Sequence, residues 1–191
     1  VNGFGDSLSA VAGGLLAGGG LASIVSQALD SSTLDTKIDI TLDLDKESAN
    51  AVRESVKSVT IAIGDEETAL AGVRKQFALN SEASDAENKK IIEGATAIAY
   101  AYSEIDFTEL IQESYEIGKE LGISQDEALG LVNALLEVGF PADQLDIIAE
   151  YGSQLKTAGF DALQIQAIFA SGIDTGTWNI DNLLDKHICS V

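Results

Sequence analysis

The feature that most restricts this chain is a recurring stop-and-restart mark. Glycine stands at Gly122, Gly139, Gly159 and Gly176, at intervals of 17, 20 and 17 residues, and a helix-like run follows each. Only glycine enters the left-handed conformation that closes a helix without a steric cost from Cβ. Helix starters come directly after it. Ser124 with Glu127 fits a capping box, Asp161 with Gln164 three later is a second N-cap, and Pro141 suits a first helical position. The apolar residue between glycine and cap, Ile123, Phe140 or Phe160, is placed to act as a hydrophobic staple. A chain marked in this way builds short helices joined by tight turns, not a rod. Its faces are Ala128, Leu131 and Leu135, then Leu145, Ile148 and Leu155, then Ile165, Ile168 and Phe169, then Ile180, Leu183 and Leu184. Such stripes need one another as packing partners. The intervals are too irregular for a solenoid.

Upstream the texture differs. Ile91, Ala95, Ile98, Ala99 and Tyr102 fall on one helical stripe, and Phe107, Leu110, Ile111 and Tyr115 continue it over 106–117. Ala49, Val52, Val56 and Val59 predict a helix beginning near Asp45. Before it, KIDITLDLD (37–45) alternates Ile38, Ile40, Leu42 and Leu44 with polar residues, the period of a strand with one wet face. Asp39, Asp43, Asp45 and Glu47 would line that face, but the glycine and spacing of a calcium loop are missing. The fold expected is mainly α, an array of short antiparallel helices with one small strand-helix element near residues 37–60. Three regions are expected: a Gly/Ala-rich uncharged helical or leader segment (1–30), the strand-helix element (31–62) and a multi-helix domain (63–191).

Residues 7–29 hold no charge, and 23 residues are long enough to cross a bilayer. Five glycines and four serines dilute the run, and the basic flank of a signal peptide is missing. Gly14 and Gly18 form a GxxxG spacing that lets helices approach closely, so this is a packing segment with potential for host membrane contact.

Chemistry is scarce. His187 and Cys189 are the single histidine and single cysteine, too few for a zinc site and without a third group to orient a nucleophile. The glycine run GGLLAGGG has neither a preceding strand nor the Lys-Ser/Thr of a phosphate loop. Trp178 sits at a helix start, where it reads as a core anchor. No catalytic, cofactor-binding or metal residue is therefore assigned, and no enzyme is expected. The net charge of −20 is concentrated in residues 91–191, which carry 17 acids against 3 bases. That field repels phosphate backbones and argues against direct nucleic-acid binding.

One ordered pattern goes beyond helix punctuation. It comprises Gly139-Phe140, Glu150-Tyr151-Gly152 with Gln154-Leu155, Ala158-Gly159-Phe160, and Gly172 through Thr175-Gly176, Asn179, Asp181, Leu183 and Asp185. In this order it resembles tail tape measure proteins of long-tailed bacteriophages and prophages, over roughly the last 85 residues. The resemblance implies a structural protein that occupies the tail tube during assembly, sets tail length and leaves with the genome. It implies a place in the virion tail lumen, and in the host cytoplasm during assembly. Tube proteins, tip proteins, assembly chaperones and self-association are the partners implied. Family members run to many hundreds of residues and continue after the NLLD stretch, whereas this sequence turns to KHICSV, as an excerpt or truncated copy would. The alternative is a non-enzymatic helical protein-binding module of an unrelated surface or regulatory protein.

Overall fold

The computed structural model describes residues 46–174. The expected strand at 37–45, the 7–29 segment with Gly14 and Gly18, and Gly176, Trp178, His187 and Cys189 lie outside the described residues. Within them, 81% of residues are helical and no strand occurs, so the chain is mainly α. The helices are α1 (Lys46–Ile63), α2 (Glu66–Leu79), α3 (Asp85–Ala101), α4 (Phe107–Leu121), α5 (Gln125–Glu137), α6 (Asp146–Thr157) and α7 (Ala162–Asp174). A 3₁₀ turn, Ala142–Gln144, precedes α6. Two compact units divide between Gln112 and Glu113, inside α4.

In the first unit α1 packs on α2 and α3, and α2 on α3. The valine stripe explains why: Val52, Val56 and Val59 are at most 1% exposed, and no other face of α1 is apolar enough to require cover. α1 stops at Gly64, whose φ of +78° lets its N–H donate back to the Thr60 carbonyl at 2.8 Å. Asp65 then starts α2 by accepting from the Glu67 and Thr68 amides at 2.9 and 3.2 Å. Ser84 and Glu87 form a capping box at the start of α3. From Gly94 to Ala99 every residue of α3 is buried, as expected for a stretch of small and aliphatic side chains around the whole helix circumference. A buried polar clip joins α2 to α3: Gln76 Nε2 donates to Asn88 Oδ1 at 3.0 Å, and Asn88 Nδ2 to the Asn80 carbonyl at 3.3 Å.

Gly72 lets α2 and the start of α4 approach closely. A Cβ there would lie 2.5 Å from both Cδ1 and Cε1 of Phe107, a ring only 1% exposed. Beside it Thr108 Oγ1 donates to the Thr68 carbonyl at 3.3 Å. The glycine costs α2 helix propensity and provides the notch that receives the ring.

In the second unit α7 packs on α6 and α5. Ala128, Leu131, Leu135, Leu145, Ile148, Leu155, Ile165 and Phe169 are all buried, while Ile168 is half-exposed. Phe140 meets Phe169 edge to face, with ring centroids 6.0 Å apart and planes at 75°. A second notch sits at Gly152 of α6, where a Cβ would lie 2.8 Å from Leu121 Cδ2. Gln125 Nε2 donates to Ser114 Oγ at 3.0 Å, a buried bond between α5 and α4.

Candidate functional site

The residues singled out in the sequence sit at three turns of the second unit. Gly122, Gly139 and Gly159 have φ of +67°, +91° and +100°. The residue after each glycine donates its amide five residues back: Ile123 to the Gly118 carbonyl, Phe140 to Leu135 and Phe160 to Leu155, at 2.9, 2.9 and 3.1 Å. Gly139 and Gly159 also donate to Leu136 and Lys156, each at 3.0 Å. These are Schellman closures, in which backbone geometry alone satisfies helix-end carbonyls. The first turn has an additional cover, because Lys156 Nζ of α6 donates to the Glu120 carbonyl at 3.1 Å.

The restarts use side chains. Glu127 accepts from the Ser124 amide at 2.8 Å, and Ser124 Oγ accepts from the Glu127 amide at 3.2 Å. Asp161 and Gln164 make the same reciprocal pair, both bonds 2.9 Å. Pro141 departs from the expectation. It stands one residue before the 3₁₀ turn with an extended ψ of 124°, and its carbonyl accepts from the Gln144 amide at 3.2 Å. The α-helix proper begins only at Asp146. The apolar residues between glycine and cap also differ: Phe140 is buried, whereas Ile123 and Phe160 are half-buried.

Three carboxylates at helix starts of the two units are held as anions by the caps they form. Glu127 is held below its ordinary carboxyl value first by the Ser124 amide and then by the Ser124 hydroxyl. Glu87 is lowered by the Ser84 hydroxyl and amide, and Asp65 chiefly by the Thr68 amide. A carboxylate accepting backbone amides is stabilised as the anion. Among the described residues no group of three or more His, Cys, Asp or Glu side chains is placed to hold a metal ion. No described helix is long and apolar enough to cross a membrane.

The described surface includes a few exposed apolar side chains. Along α7, Ala162 to Ile173 carries no charge, and its outer side presents Leu163, 49% exposed, with Ala167 and Ser171 one and two turns on. Val138 at the end of α5 is 43% exposed.

Sequence reasoning passed over Gly64, Asp65 and the Ser84–Glu87 box. The last was detectable, since S-D-A-E before an aliphatic run is a capping-box spacing. The Gly72 and Gly152 notches carry no local signal, because what fills them comes from a distant part of the chain. Comparison with known protein families, with curated proteins and with solved structures gives no match.

Proposed function

We propose that this chain is a structural, non-enzymatic tail protein of the tape measure type, acting in phage tail assembly, length determination and genome ejection. The observation that carries the reading is the ordered pattern from Gly139-Phe140 to Asp185. Its partners on this reading are tail-tube and tail-tip proteins, assembly chaperones and further copies of itself, in the tail lumen and, during assembly, the host cytoplasm. The helix closures at Gly122, Gly139 and Gly159 support a refinement of it. Residues 139–158 form part of a compact unit and do not measure length as an extended rod.

The test is an in-frame deletion of residues 139–158 from the parent protein, with tails examined by electron microscopy. The expected result is a reduced yield of infectious tails, the survivors near normal length. A uniform population about 30 Å shorter, at ~1.5 Å of helix per residue, with full infectivity would overturn the compact-unit refinement. Tails unchanged in yield and length would overturn the tail reading itself. The uncharged outer face of α7 favours a second reading, a helical protein-binding module unconnected with tails. Neighbouring genes encoding tail-tube and tail-tip proteins separate the first reading from the second.

A further inference from the structure

One side of α7 is packed and the other is open. Ile165 and Phe169 are turned inward, each 1% exposed. On the opposite side Leu163, Ala167 and Ser171 recur every four residues and are all exposed. From Ala162 to Ile173 the helix carries no charge, whereas each of the other helices carries acidic side chains. The chain that follows α7 has the pattern to cover this strip. Gly176 is the fourth of the stop-and-restart glycines. The three before it, Gly122, Gly139 and Gly159, each close a helix at a positive φ and lead into the next, and Gly159 does so between two helices that pack on each other, α6 and α7.

Residues 175–191 lie outside the described residues, but their sequence continues the pattern. Ile180, Leu183 and Leu184 are spaced as one face of a helix. Asn179 is a capping residue type, which sets Trp178 one place before the cap and Leu183 at the partner position of a hydrophobic staple. As helix, Thr175 to Asp185 reaches about 15 Å, the same as Leu163 to Ile173. We propose that the segment Trp178–Leu184 folds back at Gly176 and lays Ile180, Leu183 and Leu184 along the outer strip of α7, over Leu163 and Ala167. Tethering favours this occupant over a separate partner, because closing so short a loop costs little entropy. Charge favours it too, since Asp181 is the one charge the segment brings to an uncharged strip. The docking is independent of any role in a tail.

Trp178 is the only tryptophan, so its fluorescence in the full chain reports on the segment directly. The expected result is a blue-shifted emission, poorly quenched by acrylamide and unchanged on dilution. Leu163→Asp should shift the emission to the red and raise quenching several-fold, with helical circular dichroism retained because Leu163 is 49% exposed. Leu184→Asp should have the same effect, and the two together should do no more than either alone, because both break one contact. Should Leu163→Asp fail to fold, Ala167→Asp, also at an exposed position, takes its place. A freely quenched Trp178 in the unsubstituted chain overturns the proposal, as does quenching that the substitutions on α7 leave unmoved. Shielding that disappears on dilution overturns it as well, since the strip is then covered by a second copy of the chain.

Discussion

Replacing Gly72 by alanine sets a local preference against a tertiary contact. In an ordinary helix interior the change is favourable by about 0.8–1 kcal/mol, since glycine has more backbone freedom to lose on folding. Here the new methyl would sit 2.5 Å from two ring carbons of Phe107. The ring is rigid and 1% exposed, so relief requires moving the first turn of α4 together with its Thr108 bond to α2. Overpacking of that kind costs about 1–3 kcal/mol, and the expected net effect is a loss of up to about 2 kcal/mol. The assay is urea unfolding followed by circular dichroism at a helix wavelength. A cycle with Phe107→Ala isolates the cause. That substitution alone should cost about 3–5 kcal/mol, and with the ring gone Gly72→Ala should become stabilising by about 1 kcal/mol. The reasoning is refuted if Gly72→Ala stabilises the unsubstituted chain, or if the two changes simply add.

Other consequences are open to measurement. Asp161→Ala removes the acceptor of the Gln164 amide and should lower stability by about 0.5–2 kcal/mol; an unchanged unfolding midpoint would contradict the cap. Gly159→Ala meets open space but must adopt a φ of +100°, so it should cost about 1–2 kcal/mol from backbone strain alone, and a neutral result would show that the turn rearranges freely. Asp65, Glu87 and Glu127 have depressed folded-state values, so their caps contribute fully above the unfolded values. That contribution should fade as pH falls below the ordinary values, 4.5 for the two glutamates and 3.8 for Asp65, through the lower folded ones. Urea midpoints against pH should show the decline, and Ser84→Ala with Ser124→Ala should make it shallower, leaving the part due to Asp65. No duplex DNA binding is expected in a filter or anisotropy assay at about 0.15 M salt, where an acidic chain has no counterion release to exploit; tight, salt-sensitive binding would refute the charge argument.

The sequence by itself determined the helix ends whose chemistry is local. Gly122, Gly139 and Gly159 close helices because the left-handed backbone is open to glycine wherever it stands. The Ser124–Glu127 and Asp161–Gln164 pairs span three residues, so their geometry follows once one turn of helix forms. The same holds for the valine stripe of α1, whose period prescribes which face is buried before any partner is known. Local rules reached their limit at Pro141: the proline sets φ but does not decide whether the next turn is 3₁₀ or α, and tertiary packing places the start of α6 at Asp146. Only the tertiary structure decided what Gly72 and Gly152 are for. Each looks like a weak point inside a helix, and each receives a side chain, Phe107 or Leu121, from more than 30 residues away. The Gln76–Asn88 clip belongs to the same class. A buried polar side chain takes its meaning from what faces it across the helix interface, and the sequence specifies that partner only through the completed fold.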